Sequence, residues 1–221
     1  DMSGWLLRGL PGAMYGGGMN NLWIAVGLSI GAFLNWQFVA RRLRTYTEAA
    51  SDAITLPDYL ENRFYDTSRV LRVISAVVIL IFFTIYVSSG LVGGAILFEK
   101  SFGMTYQSAL WIGSLVIVSY TFLGGFMAVS WTDFIQGSLM FLALLFVPLM
   151  TVQIIGSWGE VTAQVGQIDP EYLDAFSGMT FLGIISLMAW GLGYFGQPHI
   201  LARFMAIKNP ADVPKAQTVG M

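Results

Sequence analysis

Five apolar stretches, at residues 21–40, 70–98, 106–127, 133–156 and 180–207, are each long enough to cross a bilayer, which takes about 20 residues of helix. In hydrocarbon no water is available to backbone N–H and C=O groups, so such stretches must close their hydrogen bonds internally as helices. An all-α membrane fold follows before any single side chain is considered. Composition agrees: the chain is 56% hydrophobic and 11% charged, against about a quarter charged in soluble domains. Cysteine is absent, which excludes both a disulfide framework and a thiolate metal site.

The fifth stretch is built to break. Its middle reads Trp190-Gly-Leu-Gly-Tyr-Phe-Gly-Gln-Pro-His-Ile200, and Gly191, Gly193, Gly196 and Pro198 all disfavour helix. Open backbone at membrane depth is tolerated only where it is buried in protein or lines a polar cavity, and paired interruptions mark the binding site of secondary transporters. The opening residues look like a second interruption. Residues 1–15 are apolar but too short to span, and end in Gly16-Gly17-Gly18, so they read as a half-helix. Because Asp1 leads directly into that segment, the chain is expected to be part of a longer protein.

Between these two segments, Thr55-Leu-Pro-Asp58 is a helix-capping pattern, and Leu56, Leu60 and Phe64 recur every four residues. Residues 55–64 are therefore expected to form an amphipathic helix on the membrane surface. Pro148 should kink the fourth stretch, an acidic loop should precede the fifth, and the last fifteen residues read as a polar tail. With alternating crossings, Arg41, Arg42, Arg44, Arg63, Arg69, Arg72, Arg203, Lys208 and Lys215 fall on one side and Lys100 on the other, which makes the first side cytoplasmic. Gly27-x-x-x-Gly31 and Gly90-x-x-x-Gly94 are small-residue stripes that let helix backbones approach closely.

Candidate functional residues cluster at the two interruptions. Asp1 at membrane depth is costly, about 2.5–3.5 kcal/mol on insertion scales, and needs a partner. A bound cation held by carboxylate, hydroxyl and unwound carbonyl oxygens is one reading, and a helix cap is the other. Trp190 and Tyr194, four apart, would share a face if a helical turn held, forming an aromatic wall for a ring with a charged amine; ordinary packing aromatics are the alternative. Asp133 reads either as a first-turn acid favoured by the helix dipole or as a functional carboxylate at the cytoplasmic mouth. Arg8 lies two turns from Asp1 and either pairs with it or snorkels outward. His199, the single histidine, fits a structural hydrogen bond better than a metal site. Gly191-Leu-Gly193-Tyr-Phe-Gly196 matches a dinucleotide fingerprint by accident, having no strand before it and a proline where the helix should run. No nucleophile–base pair is evident, so no enzyme is indicated.

Taken with Asp1-Met-Ser-Gly-Trp5, Leu56-Pro-Asp-Tyr59, Phe82-Phe-Thr-Ile-Tyr86 and Ala128-Val-Ser-Trp-Thr-Asp133, the broken run through Met205 closely resembles the bacterial proline-carrying members of the solute:sodium symporter family, nearly end to end. The resemblance implies an inverted-repeat (LeuT-like) transporter bundle with discontinuous first and sixth core helices, of which this chain supplies most of the first repeat and one helix of the second. It implies multi-pass insertion in the bacterial inner membrane and sodium-coupled symport of L-proline by alternating access, with sodium co-transported and no organic cofactor. Asp1 and the carbonyl of Met2 would serve the sodium site, and Asp133 its release path. Ser3, Gly4 and Trp5 would lie near the substrate, and Tyr86, Trp190, Tyr194 and Pro198 would line the proline pocket. Hydroxyl residues on a later helix would complete the sodium site, and Arg8 stands where the family pattern is typically apolar. A symporter for another small organic solute, or the transporter-like domain of a sensor, are the alternatives.

Overall fold

The computed structural model describes residues 9–221, and every element in that range is helical. Asp1, Met2, Ser3, Gly4, Trp5 and Arg8, and with them the reading of the first interruption, lie outside the described residues. Among the described residues three helices are long and apolar enough to cross a membrane: Met19–Ala49, Val70–Phe102 and Tyr106–Ile155.

The chain divides into two units. One comprises residues 20–84 and 175–221. It begins with α2 (Leu22–Leu34), which follows α1 (Leu10–Gly17) of the other unit and continues through a π-helical stretch, Asn35–Ala40, into α3 (Arg41–Ala49). The helix therefore runs on past the apolar stretch, through Arg41 to Ala49. Its basic residues ride on the helix beyond the apolar part, where Arg44 reaches Asp52 at 2.7 Å. The surface helix α4 (Leu56–Phe64) is capped reciprocally, since Thr55 Oγ1 accepts from the Asp58 N–H and donates to Asp58 Oδ2. Helix α5 (Val70–Phe102) then starts beside it, and Arg72 joins the two by ion pairs to Asp58 at 2.7 Å and Glu61 at 3.0 Å.

The broken run closes this unit. After α8 (Phe181–Met188) the backbone tightens into a 3-10 segment, Ala189–Phe195, and relaxes into α9 (Pro198–Met205). The polar tail is partly helical. Val213 opens α10 (Val213–Gly220) and is buried with Ala40, Leu43, Leu201, Phe204 and Met205, while Trp36 meets Phe204 edge-on with ring centres 4.6 Å apart. Polarity averaged along the segment hid one apolar anchor.

The main contact surface of the unit is α2 against the broken run. A Cβ placed on Gly27 would run into the Met188 carbonyl and Cα, and one on Gly31 would lie within 2.6 Å of the Gly191 Cα. Asn35, the next residue in the four-residue stripe, donates from Nδ2 to the Tyr194 carbonyl at 3.0 Å. Steps of four on one side thus meet steps of three on the other. An α-helix rises about 1.5 Å per residue and a 3-10 helix about 2.0 Å, so both steps advance about 6 Å.

The other unit comprises residues 1–19 and 85–174. A straight helix of the length of α6 (Tyr106–Ile155) would extend about 75 Å, more than twice the hydrocarbon thickness. Gly125, with φ 52° and ψ −144°, interrupts it and leaves two runs, 106–124 and 126–155, each long enough to cross. Only glycine adopts that backbone readily. Asp133 consequently sits eight residues beyond the interruption, on an exposed helical surface. Ser157 caps α7 (Trp158–Ile168), and the Tyr172 hydroxyl donates to the Gly16 carbonyl at 3.4 Å, against the end of α1.

Apolar side chains such as Leu80, Phe82, Leu115 and Phe122 point outward from α5 and α6. Surface of that kind suits lipid.

Gly31→Val is expected to lower the thermal stability of the full-length protein by several degrees, because overpacking costs about 1–3 kcal/mol where a backbone must move; detergent-solubilised melting measures it. At the start of α5, the Ser68 hydroxyl and then the Leu71 N–H, at 2.7 Å, bond to Asp66 and hold its carboxyl below the usual range. A lowered folded value stabilises this turn above the unfolded carboxylate pKa and loses that support as pH falls through the folded value. Hydrogen exchange at Leu71 should therefore accelerate, relative to its intrinsic rate, below about pH 4, and Asp66→Asn should abolish that dependence.

Candidate functional site

The 3-10 segment has a physical cause on each side. Gly191 and Gly193 remove Cβ atoms, and Pro198 takes away a donor and pushes Gln197 into extended backbone, φ −76° and ψ 112°. On the far side of the break, Pro198 sits in the first turn of α9, and the N–H groups of Ile200 and Leu201 both bond to the Gln197 carbonyl at 3.1 Å.

Winding at three residues per turn places Gly191 and Tyr194 on one line, facing α2, and turns Trp190 about 120° away from Tyr194. Trp190 is accordingly half exposed, at 51%, whereas Tyr194 is partly buried. The two aromatics flank the opened backbone instead of stacking on one face, because the α-helical turn that would align them is not formed.

Asn35 makes the polar link. It is 1% exposed, inside an apolar helix, and its side chain supplies a donor to a carbonyl that the helical ladder has released. The wider turn of the π-helical stretch begins at this residue, a distortion common at functional positions. The sequence carried a signal for it that went unused: an amide within a span, four residues after Gly31 and eight after Gly27. Gln197, likewise missed, has its Oε1 buried at the same turn, and Gly193 lies under its Nε2. His199 packs edge-on against Phe83, with ring centres 5.4 Å apart. Among the described residues no cluster of His, Cys, Asp or Glu is suited to a metal ion.

Pro198 also lines a cavity of about 440 Å³ with Ala202, the capped turn Thr55–Asp58, and Arg72, Ala76 and Ile79. Pro198, just past the tightened backbone, therefore borders a cleft that Asp58 and Arg72 also line. Tyr86, half exposed on α5, and Asp133 belong to the other unit. The structure thus gathers Trp190, Tyr194, Gln197 and Pro198 at the break, with Asn35 of the π-helical stretch bonded to it through the Tyr194 carbonyl.

The sequence model of the Sodium:solute symporter family matches residues 1–221. The chain is 55% identical over its whole length to the high-affinity proline transporter PutP of Bacillus subtilis, covering 47% of that protein. It is 54% identical to the sodium/proline symporter of Escherichia coli, covering 44% of it, and 48% identical to that of Staphylococcus aureus, covering 43%. The chain thus spans less than half the length of these relatives. No solved structure matches it.

A cysteine replacing Ala76 is predicted to be alkylated by a water-soluble maleimide from the Arg41–Arg44 side of the membrane only, and Ala202→Trp to slow that reaction by filling the cleft. Labelling of inside-out against right-side-out vesicles measures both.

Proposed function

The chain belongs to the sodium:solute symporter family, and from that premise we propose that its parent protein carries L-proline into the bacterial cell with sodium, by alternating access across the inner membrane. The observation that carries this reading is the 3-10 segment: a membrane run held open against α2, in a chain about half identical throughout to proline transporters. Transport of this kind needs no covalent chemistry. It needs a site that faces each side in turn and is complete only with both ligands.

In the proposed architecture the chain supplies most of the first of two inverted repeats and the first helix of the second, with the first and sixth core helices discontinuous. Asp1 and the Met2 carbonyl contribute to the sodium site, and Asp133 to the path by which sodium leaves. Ser3, Gly4 and Trp5 approach the substrate from one interruption. Tyr86, Trp190, Tyr194 and Pro198 line the pocket, where the aromatic faces bury the pyrrolidine ring and attract its ammonium. The cleft beside Pro198 then serves as the exit to the cytoplasm, on the basic side that the charge distribution makes internal.

The membrane potential supplies drive. One positive charge crossing 100 mV is worth about 2.3 kcal/mol, or roughly fifty-fold accumulation before any sodium gradient is added.

Proteoliposomes holding the full-length protein are predicted to accumulate labelled proline only when sodium is outside, and Asp1→Asn to raise the sodium concentration needed for half-maximal uptake by about tenfold or more. Proline uptake indifferent to sodium contradicts the coupling.

A further inference from the structure

The turn at residues 193–197 carries one side-chain amide, Gln197, and is met by a second, Asn35 of the π-helical stretch, each with a buried oxygen that lacks a donor among the described residues. Asn35 spends its Nδ2 on the Tyr194 carbonyl, and among the described residues no donor reaches its Oδ1. Gln197 Oε1 is buried and lacks a donor in the same sense, while its Nε2 lies 3.5 Å from the position a Cβ on Gly193 would take. Gln197 precedes α9 without capping it, so helix termination does not occupy the side chain. Leaving such acceptors unfilled in a low-dielectric setting costs about 1–3 kcal/mol each.

We propose that Asn35 and Gln197 form an amide pair that receives the protonated amine of the transported solute, Asn35 also acting as a positioning residue that ties the Tyr194 backbone to α2. The inference rests on the transport reading above and adds to it the atoms that recognise the N–H groups. Two neutral acceptors match the two N–H bonds of a secondary ammonium. A hard cation, in contrast, takes six or more oxygens. The stripe Gly27, Gly31, Asn35 explains how an α2 residue comes to serve the break: the two glycines bring the backbones together, and the third residue arrives level with the carbonyl at Tyr194.

The test compares the full-length protein with its Gln197→Met and Asn35→Leu variants in proteoliposomes. Each is assayed for sodium-dependent proline uptake and for inhibition by tetrahydrofuran-2-carboxylate, which keeps the ring and carboxylate but has oxygen in place of the N–H groups. In the wild type proline should bind far more tightly than the analogue. Gln197→Met should weaken proline by about tenfold or more and leave analogue inhibition unchanged, so that the selectivity ratio falls by the same factor. Asn35→Leu should lower the ratio and also slow maximal uptake. Among the described residues Gln197 makes no side-chain hydrogen bond, so its variant keeps the test open if Asn35→Leu fails to assemble. A ratio that stays at the wild-type value in Gln197→Met overturns the proposal, including when the sodium requirement shifts instead. Loss of the transport reading is separately visible: a wild type without sodium-dependent proline uptake removes that reading and this one with it.

Discussion

An α-helix advancing four residues and a 3-10 helix advancing three cover the same distance, and the unit formed by residues 20–84 and 175–221 is organised around that coincidence. Gly27, Gly31 and Asn35 meet Met188, Gly191 and Tyr194 in turn. Were the run at 189–195 to wind as an α-helix, its contacts would slip by about 1.5 Å per turn against α2, and the glycine-to-glycine approach would be lost. The tight winding is therefore fixed by its neighbour as well as by its own glycines. In lipid that mutual support matters, because a released carbonyl has no water to turn to and Asn35 stands in for one.

What the register creates is an opened backbone with defined surroundings. Aromatic rings flank it, an amide is tied to it, and Pro198 joins it to a cleft roofed by the capped turn of α4 and bounded by Arg72. The ion pairs from Arg72 to Asp58 and Glu61 are partly exposed, worth no more than about 1 kcal/mol each, which suits a wall that has to shift when a solute passes. Firm packing at the break and weak attachment at the cleft give the proposed transporter a fixed site beside a movable exit.

Much of this was legible in the residues. Apolar length gave three long helices, the glycine and proline pattern gave the break, and Thr55-Leu-Pro-Asp58 gave a helix start that the structure builds with a reciprocal cap. The Gly27-x-x-x-Gly31 stripe was recognised as a packing face, but sequence periodicity has no means of naming the opposite face, 160 residues away. Asn35 escaped for the same reason: an amide in a span acquires meaning only from the carbonyl it meets. The pairing of Trp190 with Tyr194 assumed 3.6 residues per turn, and local 3-10 winding rotates them apart. Val213 escaped because polarity averaged over a segment hides one buried anchor. Roles for Asp1 to Trp5 rest on the resemblance and on the cost of an acid in lipid.

The most direct measurement is a structure of the full-length protein in a lipid nanodisc with sodium and proline bound. The account predicts that residues 189–195 remain 3-10 wound on α2, with Asn35 Nδ2 within hydrogen-bond distance of the Tyr194 carbonyl and proline bound against this segment. A continuous α-helix through these residues, or proline bound away from them, would contradict it.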